Sequence, residues 1–226
     1  MCGRYITPEQ AAAEREFTLR RSSWQFSASY NVAPSLRVPV VRASADGWEG
    51  VMMRWGLVPF FAHGVAPQYS TINVRAETLA TAASYRMPWR RGQRCILPAA
   101  GFYEWQLAAD GSKIPWFIRT ADQEVFGFAG LWDRSVATDG TEVLSCTIVT
   151  LPANPLLARI HNVKQRMPAI LERSDQTDWL GDDGASAQRA LRAYPEARLL
   201  AWPVSRRVNS PRNDDAGLIA PLAAAE

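Results

Sequence analysis

The chain has 226 residues, 25 basic against 22 acidic side chains, 47% hydrophobic residues, 15 Pro and 14 Gly. That is an ordinary globular composition, and it excludes disorder and fibrous folds. With no uncharged apolar run of about 18 residues and no charged-then-apolar N-terminus, neither a membrane span nor a secretory signal is expected, so the expected location is the cytoplasm.

In chain order, Pro8 to Arg20 predicts a helix, with Thr7 as N-cap, Pro8 at the first helical position and acids in the first turns. Three pairs of β-rich runs then flank Asp-Gly turns. These are 37–43 with 51–58 around Asp46-Gly47, EWQLA with IPWFIRT around Asp110-Gly111, and VFGFAGLW with VLSCTIVTL around Asp139-Gly140. Each is a hairpin signal. Helices are predicted at 73–83, at 154–161 with Asn154 as cap and Pro155 behind it, and at 186–194. Because the strands come as hairpins and not as alternating βα units, the expected fold class is α+β. The expectation is a single domain over 1–226, with a mainly antiparallel, barrel-like core and short flanking helices. The stretch 213–226 is expected to be ordered at its start and frayed at its end.

The basic residues are 23 Arg and two Lys, Lys113 and Lys164. Arg presents a planar fork that suits phosphate, although GC-rich codon usage gives the same ratio. Position is more informative than number. Arg75, Arg86, Arg90, Arg91 and Arg94 share their stretch with a single acid, Glu77, and Arg206, Arg207 and Arg212 lie in an acid-free run. Such patches attract polyanions, nucleic acid above all, with a solvated charged face as the ordinary alternative. Cys2, Cys95 and Cys146 form no CxxC pair, so neither a disulfide framework nor a zinc cage is expected. His63 and His161 have no ligand spacing around them, and there is no GxGxxG or P-loop, so no metal and no nucleotide cofactor are expected.

Cys2 is the most informative position. Removal of Met1 would leave a free α-amine and a thiol on one residue. An α-amine titrates near 7.7–8.0, so it is substantially neutral at cellular pH and adds to aldehydes. The thiol then closes a thiazolidine ring. An N-terminal cysteine also suits attack on an amide, and a lone cysteine is most often an inert packing group.

The motifs MCGRY at the start, YNVAPSLRVPVV at 30–41, MRWGLVP at 53–59, NVRAET at 73–78, RCILPAAGFYEW at 94–105, FGFAGLW at 126–132, RIHNVKQRMPAIL at 159–171 and PVSRRVNSPRNDD at 203–215 together resemble the SOS response-associated peptidase (SRAP) family. The resemblance covers nearly the whole chain. It implies a sensor that crosslinks, through Cys2, to the ring-opened aldehyde of abasic sites in single-stranded DNA.

By the same resemblance, Asn73 positions the N-terminal residue, Glu104 is the catalytic acid, and His161 assists ring opening and proton transfer. Arg4 and Arg75 contact the DNA backbone, and Arg166 is a further phosphate contact. Phe60 and Phe61 stand where the family often has Ser-Trp and are suited to stacking on a base. Read from the residues alone, each has an ordinary alternative: capping for Asn73, an exposed strand face for Glu104, packing or a C-cap for His161, solvation for the arginines and core packing for the two phenylalanines. Many family members have Arg-Met-Pro almost directly after the histidine, whereas here residues 162–165 intervene. The implied protein is a monomer associated with damaged DNA in the nucleoid, with removal of its own Met1 and lyase chemistry as further activities. The competing functions are a thiol peptidase and a noncatalytic DNA-binding module.

Overall fold

The computed structural model describes residues 2–222. Its backbone is dominated by the three hairpins, whose turns follow from the Asp-Gly pairs. Gly111 and Gly140 adopt φ of 80° and 85°, a region that glycine enters without the steric cost other residues carry.

The strands are β1 (Arg4–Thr7), β2 (Arg21–Ser22), β3 (Ser29–Val32), β4 (Arg37–Ser44), β5 (Gly47–Trp55), β6 (Asn73–Arg75), β7 (Arg94–Ala99), β8 (Gly101–Leu107), β9 (Lys113–Thr120), β10 (Phe126–Val136), β11 (Glu142–Pro152), β12 (Arg166–Pro168), β13 (Ile170–Leu171) and β14 (Leu199–Pro203). The helices are α1 (Gln10–Glu16), α2 (Arg86–Arg90), α3 (Pro155–Ile160), α4 (Arg173–Leu180) and α5 (Gly184–Ala190), with short 3-10 turns elsewhere.

Strands β5, β4, β7, β10 and β11 pair in that order, and β11 returns to β5, closing a five-stranded barrel. The closing contact is parallel, Ser145 opposite Arg54 and Cys146 opposite Trp55, while the other pairs in the ring are antiparallel. Closure removes the exposed edges of an open sheet. Central strands covered on both faces read as continuous apolar runs: six consecutive residues of β10, Phe126 to Leu131, are buried.

A second, antiparallel sheet runs β14-β9-β8-β1-β3. The chain passes from barrel to sheet through Ala100, between β7 and β8. Side chains of β8 alternate across this sheet. Phe102 enters the main core, and Tyr103 enters a smaller cluster with Ile6, Phe117, Val204, Val208 and Leu218. Glu104 therefore shares the face of Phe102, pointing inward.

The α+β class and the antiparallel, barrel-like core agree with the sequence reading, as do all three hairpins. Local expectations are corrected, including the helix at 186–194, which is found as α5 from Gly184 to Ala190. The helix expected from Pro8 begins only at Gln10 and is over by Glu16. Thr7 does not cap it, because its hydroxyl accepts the Ser29 backbone N–H across the β1–β3 pair. The helix expected at 73–83 is instead β6 followed by a 3-10 turn over Ala76–Thr78, because Asn73–Arg75 adds alongside β11. Tertiary pairing there overrides a weak helical propensity. Helices α2 and α4 had no counterpart in the sequence reading. Pro88 is compatible with α2 because it sits in the first turn, where a missing N–H breaks no bond. The segment from Asn213 to Leu222 is tied down: Asn31 donates to the Ser210 and Asn213 carbonyls, and Val204 bridges to Pro221. The fraying expected at its extreme end falls on residues 223–226, outside the described residues.

Candidate functional site

Cys2 is 1% exposed. The chain leads from it directly into β1, whose Arg4 and Tyr5 lie opposite Tyr103 and Phe102 of β8. This register brings residue 2 to the neighbourhood of Glu104. Asn73, at the start of β6, donates from Nδ2 to the Cys2 carbonyl at 2.8 Å. Asn73 is itself fixed by its parallel pairing with Ile148 and by the Tyr85 hydroxyl, which donates to its carbonyl at 3.4 Å. Burial pushes the Cys2 thiol well above its usual range, and the nearby Glu104 carboxylate raises it further.

Glu104 is 2% exposed, and burial pushes its pKa up to about 7, an effect that Lys164 opposes by its charge. His161 occupies the C-cap of α3, a helix begun as the sequence predicts by Asn154, whose side chain accepts the Leu157 N–H, and by Pro155. Its Nδ1 bonds the Arg166 carbonyl at 3.0 Å, so Nδ1 carries the proton and Nε2 presents a lone pair. Nε2 lies 3.9 Å from Glu104 Oε2. Burial holds the His161 pKa below its ordinary value, which keeps the ring neutral near pH 7.

Beside this pair opens a cavity of about 610 Å³ lined by Glu104, Trp105, Leu107, Lys113, His161, Val163, Lys164 and Asn209. Its volume lies within the range of small-molecule and nucleotide pockets.

The remaining expected residues fall in different surroundings. Arg4 is partly buried, donates to the Gly3 carbonyl at 3.0 Å, and has its pKa lowered by burial. Arg75 is exposed at the end of β6. Phe60 and Phe61 are 39% and 45% exposed and pack edge to face at 5.4 Å, with the Arg91 guanidinium 5.0 Å over the Phe60 ring. Neither ring is a core residue. Arg166 is 9% exposed and turned inward, forking onto Glu77 at 2.5 and 2.9 Å and donating to the Thr150 carbonyl at 2.7 Å. Arg94 leaves the basic patch in the same way: it is 3% exposed and bonds the Trp179 and Gly181 carbonyls.

Sequence reasoning did not single out Lys113, Lys164 or Asn209. The scarcity of lysine, with only these two in the chain, was legible in the sequence, but that both line one cavity is set by the fold.

The sequence profile of the SOS response associated peptidase (SRAP) family matches residues 1–211. The chain belongs to the SRAP family. Among SRAP relatives, the abasic site processing protein YoqW of Bacillus subtilis (strain 168) is 35% identical over 225 residues, covering 97% of this chain and 99% of the relative. The abasic site processing protein HMCES of Gallus gallus is 32% identical and covers 98% of this chain and 78% of its own. A crystal structure of a Bacteroides thetaiotaomicron protein superposes with a TM-score of 0.87 at 26% identity, covering 98% of this SRAP chain and all of that one. A Bordetella bronchiseptica protein gives 0.79 at 28% identity over 90% of this chain. No helix among the described residues is long and apolar enough to cross a membrane.

Proposed function

We propose that this SRAP protein captures abasic sites in single-stranded DNA as a covalent adduct at Cys2. The observation that carries the reading is the convergence of the buried Cys2, held by Asn73, with the Glu104–His161 pair at the side of an open cavity. The names of the SRAP relatives support it, since they are abasic site processing proteins.

Hydrolysis of the Met1–Cys2 bond frees the α-amine. With its thiol held protonated by burial, Cys2 reacts first through nitrogen. The amine adds to the aldehyde carbon of the ring-opened sugar, giving a carbinolamine. That intermediate loses water, with Glu104 donating a proton to the departing hydroxyl. Sulfur then adds to the imine carbon as its proton passes to nitrogen, directly or through His161 Nε2. Amine, aldehyde and thiol thus give a thiazolidine and one water, with no oxidant or metal in the balance. A Glu104 poised at about 7 serves both directions, since the group that protonates on ring closure can deprotonate on reversal.

Arg4 and Arg75 supply phosphate contacts, and the exposed Phe60–Phe61 pair supplies a stacking platform. Arg166 acts as a structural partner of Glu77 in this reading. The protein works as a monomer, and ring closure by the thiol suppresses strand cleavage by β-elimination.

The test is denaturing-gel mobility and intact mass after incubation with an oligonucleotide carrying one abasic site. An undamaged strand and Cys2→Ala are run beside it. The expected result is an adduct only with the abasic strand and only with Cys2, on protein lacking Met1. No adduct from protein lacking Met1 removes the reading. Cleavage of peptides without DNA would put the peptidase reading in its place, and strand scission without an adduct the lyase.

A further inference from the structure

Lys113 and Lys164 come from separate parts of the fold, the first residue of β9 and the loop between α3 and β12, yet both line the cavity beside Glu104 and His161. Both are exposed, and neither is ion-paired with an acid among the described residues, whereas many of the chain's arginines are. Two unpaired ammonium groups converging on one cavity form a positive focus in a protein of net charge +3.

The loop that delivers Lys164 is built. Asn162 makes a reciprocal pair of bonds with Leu107, accepting its N–H at 3.0 Å and donating to its carbonyl at 2.9 Å. At the other end, the Gln165 N–H returns to the His161 carbonyl at 2.8 Å and the Gln165 carbonyl accepts from Ala153 at 2.9 Å. Gln165 adopts φ 50°, the left-handed conformation that turns the chain back into β12. Lys164 therefore stands between two anchored residues. Lys113 is fixed by its pairing with the same Leu107 across the β8–β9 hairpin. One residue, Leu107, thus anchors the backbone from which both lysines extend.

We infer that this cavity is a phosphate subsite, in which Lys113 and Lys164 together hold one phosphodiester of the bound strand next to the nucleotide presented to Cys2. An ammonium binds phosphate as a point charge and needs no bidentate geometry, so two lysines from flexible stems can close on one group where an Arg fork would require a fixed plane. The cavity is large enough for a nucleotide-sized group, and Trp105 lines it. The subsite rests on the DNA-capture reading and assigns it a directional contact on the His161 side.

The experiment uses the full-length protein with an undamaged single-stranded oligonucleotide, reading noncovalent affinity by fluorescence anisotropy across a salt series. The double substitution Lys113→Gln and Lys164→Gln should weaken binding roughly three- to tenfold at moderate salt. It should also reduce the slope of log K against log salt by about 0.7, the signature of one lost single-strand phosphate contact. Lys113→Arg with Lys164→Arg should restore both. A neutral methylphosphonate scanned along the strand should reproduce the Gln effect at one phosphate for wild type and have no added effect there on the Gln variant. Both lysines are exposed, and an unchanged melting temperature checks that the fold is kept.

Equal affinity and slope in wild type and the Gln variant overturn the subsite, as does a methylphosphonate effect that adds in full to the Gln effect at every position. Competition by a free 5′-mononucleotide as strong as that by the strand also overturns it, because the cavity would then be a nucleotide site. Adduct formation with an abasic strand, measured in parallel, separates this failure from failure of the capture reading.

Discussion

Glu104 Oε2 and His161 Nε2 face each other at 3.9 Å, one from a β-strand and the other from a helix C-cap, and both are buried. Burial moves each toward its neutral form, raising the carboxyl to about 7 and lowering the imidazole. The Nδ1 bond to the Arg166 carbonyl aims the basic nitrogen of His161 at the carboxyl. Glu104 is thus poised to give or take a proton near neutral pH, the condition under which general acid–base groups are most effective, with the basic nitrogen of His161 just beyond direct hydrogen-bond distance.

The capture rate should carry a falling limb as pH rises through about 7, because the acid form of Glu104 is lost there. Glu104→Gln should slow capture and abolish that limb, leaving only the rise caused by deprotonation of the amine. Single-turnover adduct formation between pH 5.5 and 9 checks this. A falling limb that survives unchanged in the variant assigns it to another group.

Stability should respond to the same carboxyl. A raised folded-state pKa contributes stability that is complete below the unfolded value near 4.5 and lost as pH rises through about 7. Glu104→Gln should match wild type at pH 4 and exceed it at pH 8.5, by an amount on the order of 3 kcal/mol. Urea unfolding at the two pH values measures the difference.

Asn73→Ala should leave the buried Cys2 carbonyl without its donor, at a cost of about 1–3 kcal/mol, and should slow capture by more than the stability loss explains. Thermal melts beside capture rates at saturating DNA separate the two effects. Equal loss in both would make Asn73 a structural residue alone.

The Arg166 guanidinium holds the Glu77 carboxyl down to about 2. A lowered value contributes stability present above the unfolded value near 4.5 and lost as pH falls through about 2. Glu77 is half exposed, so solvent screening reduces the pair's worth, and Glu77→Gln should cost about 1 kcal/mol at pH 7. Chemical denaturation of the variant at pH 7 and pH 2.5 should show that cost shrinking at the lower pH.

Phe61→Ala should change stability by less than about 0.5 kcal/mol, as expected of an exposed side chain. Loss of a stacked base should still weaken single-strand binding by about 1–3 kcal/mol. Anisotropy titration with an undamaged oligonucleotide reads this directly, and unchanged affinity removes Phe61 from the DNA face.

The sequence by itself determined the hairpins, because an Asp-Gly pair between two β-rich runs is a local signal that needs no partner elsewhere. It likewise determined the start of α3, where Asn154 and Pro155 act on their own turn, and it carried the ordered motifs that place the chain in its family. Other features depend on distant strands. The chain from Asn73 to Arg75 became a strand only because β11 offered it an edge, and α4 formed without a strong local signal. Arg94 reads as a surface charge in a basic run and Arg166 as a phosphate contact, but the fold turns both inward onto carbonyls, and Arg166 onto Glu77 as well, which no spacing rule reveals. The pairing of Cys2 with Asn73, the placing of Glu104 against His161, and the meeting of Lys113 and Lys164 at one cavity were decided by tertiary structure. They join segments far apart in sequence, and only closure of the barrel and the register of β8 bring them together.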